Sequence, residues 1–187
     1  NQIHSCYSTG GNVYGTQYAR NVGGLVGGFY GNGYINNCYS NNSVNSFQIS
    51  GGLIGRLTNY NNKVYNSYAT GNVTSSNNTG GLIGYTYAND TIINCYYREN
   101  NVSNGIVLSG VTPMSATNMK TDQFATTLNS TQNPAHWLRN DSINDGYPYL
   151  FEHPAITGNG TLANPYIVKN NSNLNTVADR VNNGQPN

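Results

Sequence analysis

Charged side chains are scarce in this chain. Only 8% of its 187 residues are charged, against about 25% in ordinary globular domains. The formal net charge is +1, so the sequence offers no electrostatic reason to bind nucleic acid or an acidic membrane surface. Apolar runs are short as well, and none approaches the roughly 20 residues that a membrane-spanning helix requires. These absences argue against a nucleic-acid-binding protein and against a membrane-spanning one.

Metal-binding patterns are also missing. The three cysteines show neither CxxC nor Cys/His spacing. They are Cys6, Cys38 and Cys95. The histidines follow no motif such as HExxH, and we expect each to be a surface or packing residue. They are His4, His136 and His153. The sequence therefore predicts no metal site and no other cofactor.

Asparagine takes the place of the missing charges. It makes up about a fifth of the chain, together with 22 glycines and 16 tyrosines, which is far from ordinary usage. A surface solvated by amides and hydroxyls is common in secreted repeat proteins, and a prion-like polar tract is the alternative. The periodic spacing of the apolar residues favours a folded repeat protein. Since the chain begins at Asn1 without methionine, we interpret it as a segment of a longer protein.

Two short phrases recur with the same period. The first reads Gly-Gly-Leu-Val-Gly or Gly-Gly-Leu-Ile-Gly and begins at Gly23, Gly51 and Gly80, at steps of 28 and 29 residues. The second reads Cys-Tyr or Ser-Tyr, with an aliphatic residue three positions before the Cys or Ser, and its steps are 32, 29 and 28 residues. Two phrases that share a period of about 29 residues are the signature of a repeat protein.

The repeats predict an all-β fold, namely a parallel β-solenoid (a right-handed β-helix). Each phrase is short, rich in β-branched and aromatic residues, and bounded by Gly, Asn and Ser, as strands are. Such strands cannot bury an apolar face alone, but they can when successive repeats stack in parallel about 4.8 Å apart. We expect roughly three to four rungs over residues 1–103, wound right-handed as parallel crossover connections are.

Stacking turns each repeat position into a column that runs through the rungs. The second phrase supplies an aliphatic column, a small-residue column and a tyrosine column. Their members are Ile3, Ile35, Val64 and Ile92; Cys6, Cys38, Ser67 and Cys95; and Tyr7, Tyr39, Tyr68 and Tyr96. The aliphatic and small columns are three positions apart, so both face the core only if the chain turns a corner between them. Left-handed backbone would make that corner at Ser5, Asn37, Asn66 and Asn94.

The glycine-rich phrase supplies columns of its own. They consist of Gly23, Gly24 and Leu25, then Gly51, Gly52 and Leu53, then Gly80, Gly81 and Leu82. Paired glycines suit a tight bend or a close approach between backbones. The pattern leaves open whether the leucine or the aliphatic residue after it faces the core.

These phrases resemble the GLUG motif of bacterial surface proteins. The resemblance rests on Gly-Gly-Leu-(Val/Ile)-Gly alternating with Cys-Tyr-Ser, over roughly residues 1–103. GLUG repeats occur in large adhesin-like proteins, in filamentous-haemagglutinin-like chains and in the non-catalytic region of some immunoglobulin-A-cleaving peptidases. The resemblance implies an extracellular protein of the bacterial cell surface and names no ligand. Ser67 departs from the motif by replacing Cys, which implies that the thiols are packing groups rather than an obligatory disulfide set.

The remaining chain forms two further regions. Residues 104–153 resemble the segment that follows such arrays, and we expect a terminal rung and a cap over the open end of the solenoid, with a short helix that begins after Thr121. Residues 154–187 resemble the start of a further repeat unit, with a strand followed by a short helix.

Few carboxylates are available for catalysis. Glycoside cleavage needs two of them roughly 5–10 Å apart, and the predicted solenoid contains only Asp90 and Glu99. We interpret both as surface residues, and since Glu99 is next to Arg98, a surface ion pair and plain solvation are both open. Asp141 and Asp145 lie in a loop, where Asp is a normal turn former, and a calcium role for them is the alternative. We therefore expect no enzymatic activity.

Tyrosine and cysteine allow more specific expectations. Exposed Tyr flanked by Asn would form a sugar-binding platform, whereas partly buried Tyr would stiffen the solenoid, and we favour the second. We expect three buried, reduced thiols that act as small apolar groups. Cys38 and Cys95 are two rungs apart, at about 9.6 Å, which is beyond the reach of a disulfide.

The sequence thus predicts a structural or adhesive module of an extracellular or cell-surface bacterial protein. A self-assembling filament subunit is the first alternative. A carbohydrate-binding or carbohydrate-acting β-helix is the second. The expected partners are other copies stacked end to end, or glycans of a host or cell surface. We expect neither nucleic acid nor a membrane span.

Overall fold

Short strands stack in parallel to form a β-solenoid. The computed structural model describes residues 1–59, 61–102, 105–132 and 135–151, and Asn1–Leu150 forms one structural unit. The predicted all-β solenoid is confirmed, with about three full turns of the chain. The predicted region 154–187 and His153 lie outside the described residues.

Each turn of the chain contributes strands to several sheets. The first turn holds β1 (Gln2–His4), β2 (Tyr7–Ser8), β3 (Asn12–Tyr14), β4 (Asn21–Gly23) and β5 (Val26–Tyr30). The second holds β6 (Tyr34–Asn36), β7 (Tyr39–Ser40), β8 (Ser43–Ser46), β9 (Ile49–Gly51) and β10 (Ile54–Thr58). The third holds β11 (Lys63–Ala69), β12 (Val73–Ser75), β13 (Thr79–Gly80) and β14 (Ile83–Tyr85). A partial fourth turn holds β15 (Thr91–Arg98), and β16 (Val111–Met114) pairs with it.

The sheets are parallel and keep the repeat register. Their strand orders are β1-β6-β11-β15-β16, β3-β8-β12, β4-β9-β13 and β5-β10-β14, with β2 and β7 alongside the first sheet. Ile35 lies opposite Ile3 on one side and Val64 on the other. Tyr39 lies opposite Tyr7 and Tyr68 in the same way. Equivalent residues of successive repeats are therefore neighbours in space.

One corner of every rung has left-handed backbone. Its residues have φ values of 52°, 52°, 48° and 56°, in the order Ser5, Asn37, Asn66 and Asn94. The corner lets Ile35 and Cys38 both face the core, where neither has exposed surface. An amide bond also runs along the column, because Asn94 Nδ2 donates to Asn66 Oδ1 at 2.7 Å, and Asn66 Nδ2 donates at 3.3 Å to Oδ1 of Asn36, the residue before the corner Asn37.

Glycines of the Gly-Gly-Leu phrase allow backbones to approach closely. A Cβ on Gly51 would lie 2.6 Å from the Gly84 nitrogen and 2.8 Å from the Leu82 oxygen. A Cβ on Gly55 would lie 2.6 Å from the Val22 nitrogen. These positions need glycine because no other residue leaves room for the facing backbone.

Both aliphatic residues of the second and third phrases are buried, which settles the question that the pattern left open, and Leu25 and Val26 of the first are partly buried. Leu53 and Ile54 have no exposed surface, and Leu82 and Ile83 are 1% exposed. They pack in the main core with the aliphatic and cysteine columns.

A C-terminal segment packs along the side of the solenoid, and we call its described residues within 115–150 the clamp. It consists of α1 (Ala116–Met119), α2 (Asp122–Asn129), β17 (Trp137–Leu138), a 3-10 helix (Asn144–Gly146) and β18 (Tyr149–Leu150). Thr121 begins α2 as expected, because its hydroxyl accepts from the Phe124 backbone N–H at 3.2 Å.

The clamp covers the tyrosine column. Its apolar side chains form a second core with the tyrosine column, and they are Met119, Phe124, Leu128, Trp137, Tyr147 and Leu150. Within the predicted region 104–153, β16 extends the stack beside β15, Leu108 and Val111 pack against the main core, and the clamp lies on the flank. The physical reason is that the corner turns the tyrosine rings away from the main core, so they need a cover of their own. Among the described residues, neither α-helix has the length or apolarity to span a membrane.

Gly52→Ala is expected to destabilise the fold by about 1–3 kcal/mol, since overpacked sites typically cost that much. The new Cβ would press on the Gly81 carbonyl oxygen and lie 2.8 Å from the Ala69 Cβ. Urea unfolding followed by circular dichroism would show a lower midpoint. Gly11→Ala is the matched control, because its Cβ would meet only Asn42 Oδ1 at 3.6 Å. Equal midpoints for both variants would show that the phrase reflects composition rather than geometry.

Candidate functional site

Stacked tyrosine rings join the solenoid to the clamp. The ring centroids of Tyr7 and Tyr39 lie 5.1 Å apart and those of Tyr39 and Tyr68 lie 5.2 Å apart, and both pairs are nearly parallel at 6°. Trp137 packs 5.4 Å from Tyr68, which is fully buried, while Tyr7 is 53% exposed. Aromatic pairs are worth about 0.5–1.5 kcal/mol each beyond the area they bury. The middle of this column stabilises the fold and has no face open to a sugar.

The Tyr68 hydroxyl is bonded inside the clamp. It donates to the Pro148 carbonyl oxygen and accepts from Asn144 Nδ2 at 2.9 Å. Burial raises the pKa of Tyr68 well above its ordinary value, because a buried phenolate would lose its solvation. Burial likewise raises the pKa of Tyr39 to about 12. Both hydroxyls therefore stay protonated at physiological pH and act as structural groups.

The left-handed corner gives the clamp its polar contacts. Asn37 and Gln132 exchange amide hydrogen bonds of 2.7 and 3.1 Å, and Trp137 Nε1 donates to Asn37 Oδ1 at 3.2 Å. Asn94 Nδ2 donates to the Thr127 carbonyl oxygen at 2.8 Å. Since Asn37 and Asn94 belong to different rungs, these bonds hold the clamp across the stack.

An open polar groove lies between the solenoid and the end of the clamp. Its volume is about 510 Å³, and its lining includes Asn41, Thr70 and Arg98 on the solenoid side and Asp145 and Tyr147 on the clamp side. Asp145 is the one carboxylate among the lining residues. The groove suits a hydroxyl-bearing ligand, but it does not assemble the two carboxylates that glycoside cleavage uses.

Arg98 is held in place by the solenoid rather than by Glu99. Its Nε donates to the Thr70 carbonyl oxygen at 2.7 Å and its Nη2 donates to Asn72 Oδ1 at 2.6 Å. Glu99 is exposed, and the ion pairs among the described residues do not include it. Of the two alternatives for Glu99, plain solvation agrees with the structure, because backbone and amide oxygens of the preceding rung supply the acceptors of the Arg98 guanidinium.

Asp90 organises a turn and is not simply solvated. One carboxylate oxygen accepts from the Asn62 backbone N–H at 2.8 Å and from its side chain at 3.1 Å. The other accepts from the Thr86 hydroxyl at 2.7 Å and from the Tyr87 N–H at 3.2 Å. The surface interpretation of Asp90 is therefore corrected, since the carboxylate replaces backbone partners in the turn before β15.

The loop carboxylates are engaged in ion pairs. Asp141 pairs with Arg139, and Asp145 pairs with Lys120 at 2.8 Å. These contacts favour a turn and surface role over calcium binding. Within the described ranges, no group of three or more His, Cys, Asp and Glu side chains converges as a metal site would require.

Two groupings were not visible in the sequence. The His4 and His136 rings meet at 5.3 Å, which no local spacing indicates. The second is a cluster of Tyr30, Arg56, Tyr85 and Tyr87, which we call the arginine–tyrosine cluster. The Arg56 guanidinium carbon lies 4.9 Å from the Tyr85 ring centroid and 5.8 Å from that of Tyr87. The repeat register could have indicated the contact between Arg56 and Tyr85, because the two residues occupy the same position in successive repeats.

Two of the three thiols are buried. Cys38 and Cys95 lie in the main core and Cys6 is exposed, so the expectation of three buried thiols is wrong for Cys6. The reason is that β2, beside Cys6, pairs only with β7 in the described part of the chain. Burial raises the pKa of both Cys38 and Cys95 to about 12, which suppresses the reactive thiolate.

Comparison with known proteins supports the fold class. No family model matches the chain, and no curated protein matches it. The structure is similar to the crystal structure of a candidate immunoglobulin A1 protease from Bacteroides ovatus, with a TM-score of 0.50 and 22% sequence identity. The match covers 80% of this chain and 57% of that one, so the chain spans little more than half the length of its structural neighbour. At this identity the likeness establishes a β-solenoid protein and no activity.

Alkylation should distinguish the thiols in the native protein. Iodoacetamide is expected to modify Cys6 quickly, while Cys38 and Cys95 react slowly up to about pH 9 because burial keeps them protonated. In denaturant all three should react at similar rates. Peptide mass spectrometry measures the three sites separately. Rapid native modification of Cys95 would contradict its place in the core.

Asp90→Ala and Glu99→Ala should differ in stability. Asp90→Ala leaves donors of the turn unpaired, which typically costs about 1–3 kcal/mol when such groups are buried, with a smaller loss here because the site is partly exposed. Glu99→Ala should change stability by under about 0.5 kcal/mol, as exposed positions do. Chemical denaturation of both variants gives the comparison, and equal midpoints would contradict a structural role for Asp90.

Proposed function

We propose that this chain is a non-catalytic structural and adhesive module of an extracellular or cell-surface bacterial protein. The observation that carries the proposal is the clamp, which is bonded to the corner asparagines of different rungs and covers the stacked tyrosines. Such cross-links stiffen a stack of short strands, and stiffness suits a spacer that holds a surface away from a cell. The sequence resemblance to GLUG repeats supports the same location.

The placement of the carboxylates supports a role without catalysis. Asp90 serves a turn, and Asp141 and Asp145 serve ion pairs. Each of these three carboxylates thus has a structural partner among the described residues. The structural neighbour is named as an immunoglobulin A1 protease, which agrees with a module that works outside the cell.

End-to-end assembly is the second candidate, and the open sheet edges favour it. In the described ranges, β3, β4 and β5 pair on one side only, and so does β14 at the other end of its sheet, whereas Thr79 of β13 also accepts from the Ile106 N–H. Unpaired strand edges accept further strands. A second copy stacked on either edge would continue the parallel ladders.

Adhesion and catalysis can be tested together. Beads coated with the folded protein are expected to bind mucin-coated surfaces more than albumin-coated beads do, and soluble protein should compete. Incubation with immunoglobulin A1 or with mucin should leave the antibody intact and release no reducing sugar. Size-exclusion chromatography of the same preparation distinguishes the adhesive module from the end-to-end assembly. A protein that elutes as a monomer at all concentrations would contradict assembly into a filament. Absence of bead retention would contradict the adhesive role, and cleavage would contradict the non-catalytic one.

A further inference from the structure

Tyrosines flank a single cation on one surface of the solenoid. The Tyr30 ring lies over Gly28, because a Cβ there would meet Tyr30 Cε2 at 2.9 Å. Gly28, Arg56 and Tyr85 lie opposite one another on adjacent strands. The exposed Tyr30 ring therefore lies over the strand next to that of Arg56, and the Arg56 guanidinium in turn contacts the Tyr85 and Tyr87 rings. Tyr30 is 62% exposed, and Arg56 and Tyr85 are partly exposed.

No carboxylate compensates the Arg56 guanidinium within the described ranges. The ion pairs there involve Lys120 and Arg139. Arg56 Nη2 donates to the Tyr87 hydroxyl at 2.8 Å, and its Nε is buried without a hydrogen-bond partner. The carboxylate of Asp90 lies beside Tyr87 but already accepts four hydrogen bonds. A guanidinium held between aromatic rings in this way is pre-organised to pair with an anion.

We propose that the arginine–tyrosine cluster binds an acidic saccharide. The sugar carboxylate pairs with the Arg56 guanidinium, and the sugar rings lie against Tyr30 and Tyr85. Tyrosine suits this contact because it offers an apolar face and a hydroxyl that bonds to polar groups. The inference rests on the proposed adhesive function and gives that function a ligand class.

The surroundings of Arg56 favour a saccharide over other anions. An extended acidic peptide usually binds by adding a strand to a free sheet edge, and β10 is already paired on both sides, with β5 and β14. Nucleic acid requires several cations along a path, whereas the cluster holds one. A ligand with one carboxylate and several hydroxyls therefore fits best.

Calorimetric titration with sialyllactose and trigalacturonate, against lactose as the neutral probe, tests the inference. At least one acidic probe should bind at least tenfold more tightly than lactose. Arg56→Gln should weaken that binding at least tenfold, and Arg56→Lys should restore only part of it because lysine lacks the planar fork.

Tyr30→Ala, at an exposed ring, should also weaken binding while leaving the circular dichroism melting curve unchanged. Arg20→Gln is the matched control, since Arg20 is an exposed arginine outside the cluster, and its affinity should equal that of the wild type.

Several results would overturn the inference. Equal binding of acidic and neutral probes would do so, as would unchanged affinity in Arg56→Gln. Loss of binding in Arg98→Gln instead would assign the ligand to the groove. Binding of a glutamate-rich peptide in place of saccharides would overturn the ligand class. If no probe binds while coated beads still adhere to mucin, this inference fails and the adhesive function stands; if the beads fail as well, both fail.

Discussion

The whole architecture depends on one left-handed residue in each rung. In a regular strand Ile35 and Cys38 would face opposite sides of the sheet, but the positive φ of Asn37 lets both enter the core. Left-handed backbone is costly for most residues and is tolerated by Asn, and bonds from the corner amides to neighbours and to the clamp offset the cost. The same corner directs Tyr39 outward. The main core, the tyrosine column and the place of the clamp therefore have one cause.

The solenoid could be predicted because repetition encodes long-range contacts. A strand pair such as Ile54 and Ile83 is distant in the chain but identical in its repeat position, so the period itself specifies the register. The clamp lacks this advantage. Its short helix could be predicted from Thr121, Phe124 and Leu128, but its partners on the solenoid could not. The repeat pattern does not indicate which outer face of the solenoid another segment will bury. That face is identified only when the corner is known to direct the tyrosine rings out of the main core.

The candidate sites lie where single residues break the repeat. The groove joins loops of several rungs to the clamp, so its lining has no common signature in the sequence. Asp90 was misjudged because its role depends on the turn at residues 86–90 and on Asn62, one rung away. Arg56 and Tyr85 share a column, which the period could have revealed, whereas the place of the Tyr30 ring over Gly28 depends on a side-chain conformation that the period does not encode.

Stacking also explains why the chain has so few charges. A charge repeated in one column would meet its copy at about 4.8 Å, where two like charges repel by about 1 kcal/mol even at the dielectric constant of water. Amides and tyrosines can instead bond or stack with their copies. The described register agrees, because Lys63 lies between Tyr34 and Thr91, and Arg56 lies between Gly28 and Tyr85. A cation in such a stack is isolated from like charges and flanked by neutral groups. At Arg56 one of those neutral groups is Tyr85, whose ring contacts the guanidinium, so an anionic ligand that binds there meets no competing carboxylate within the column.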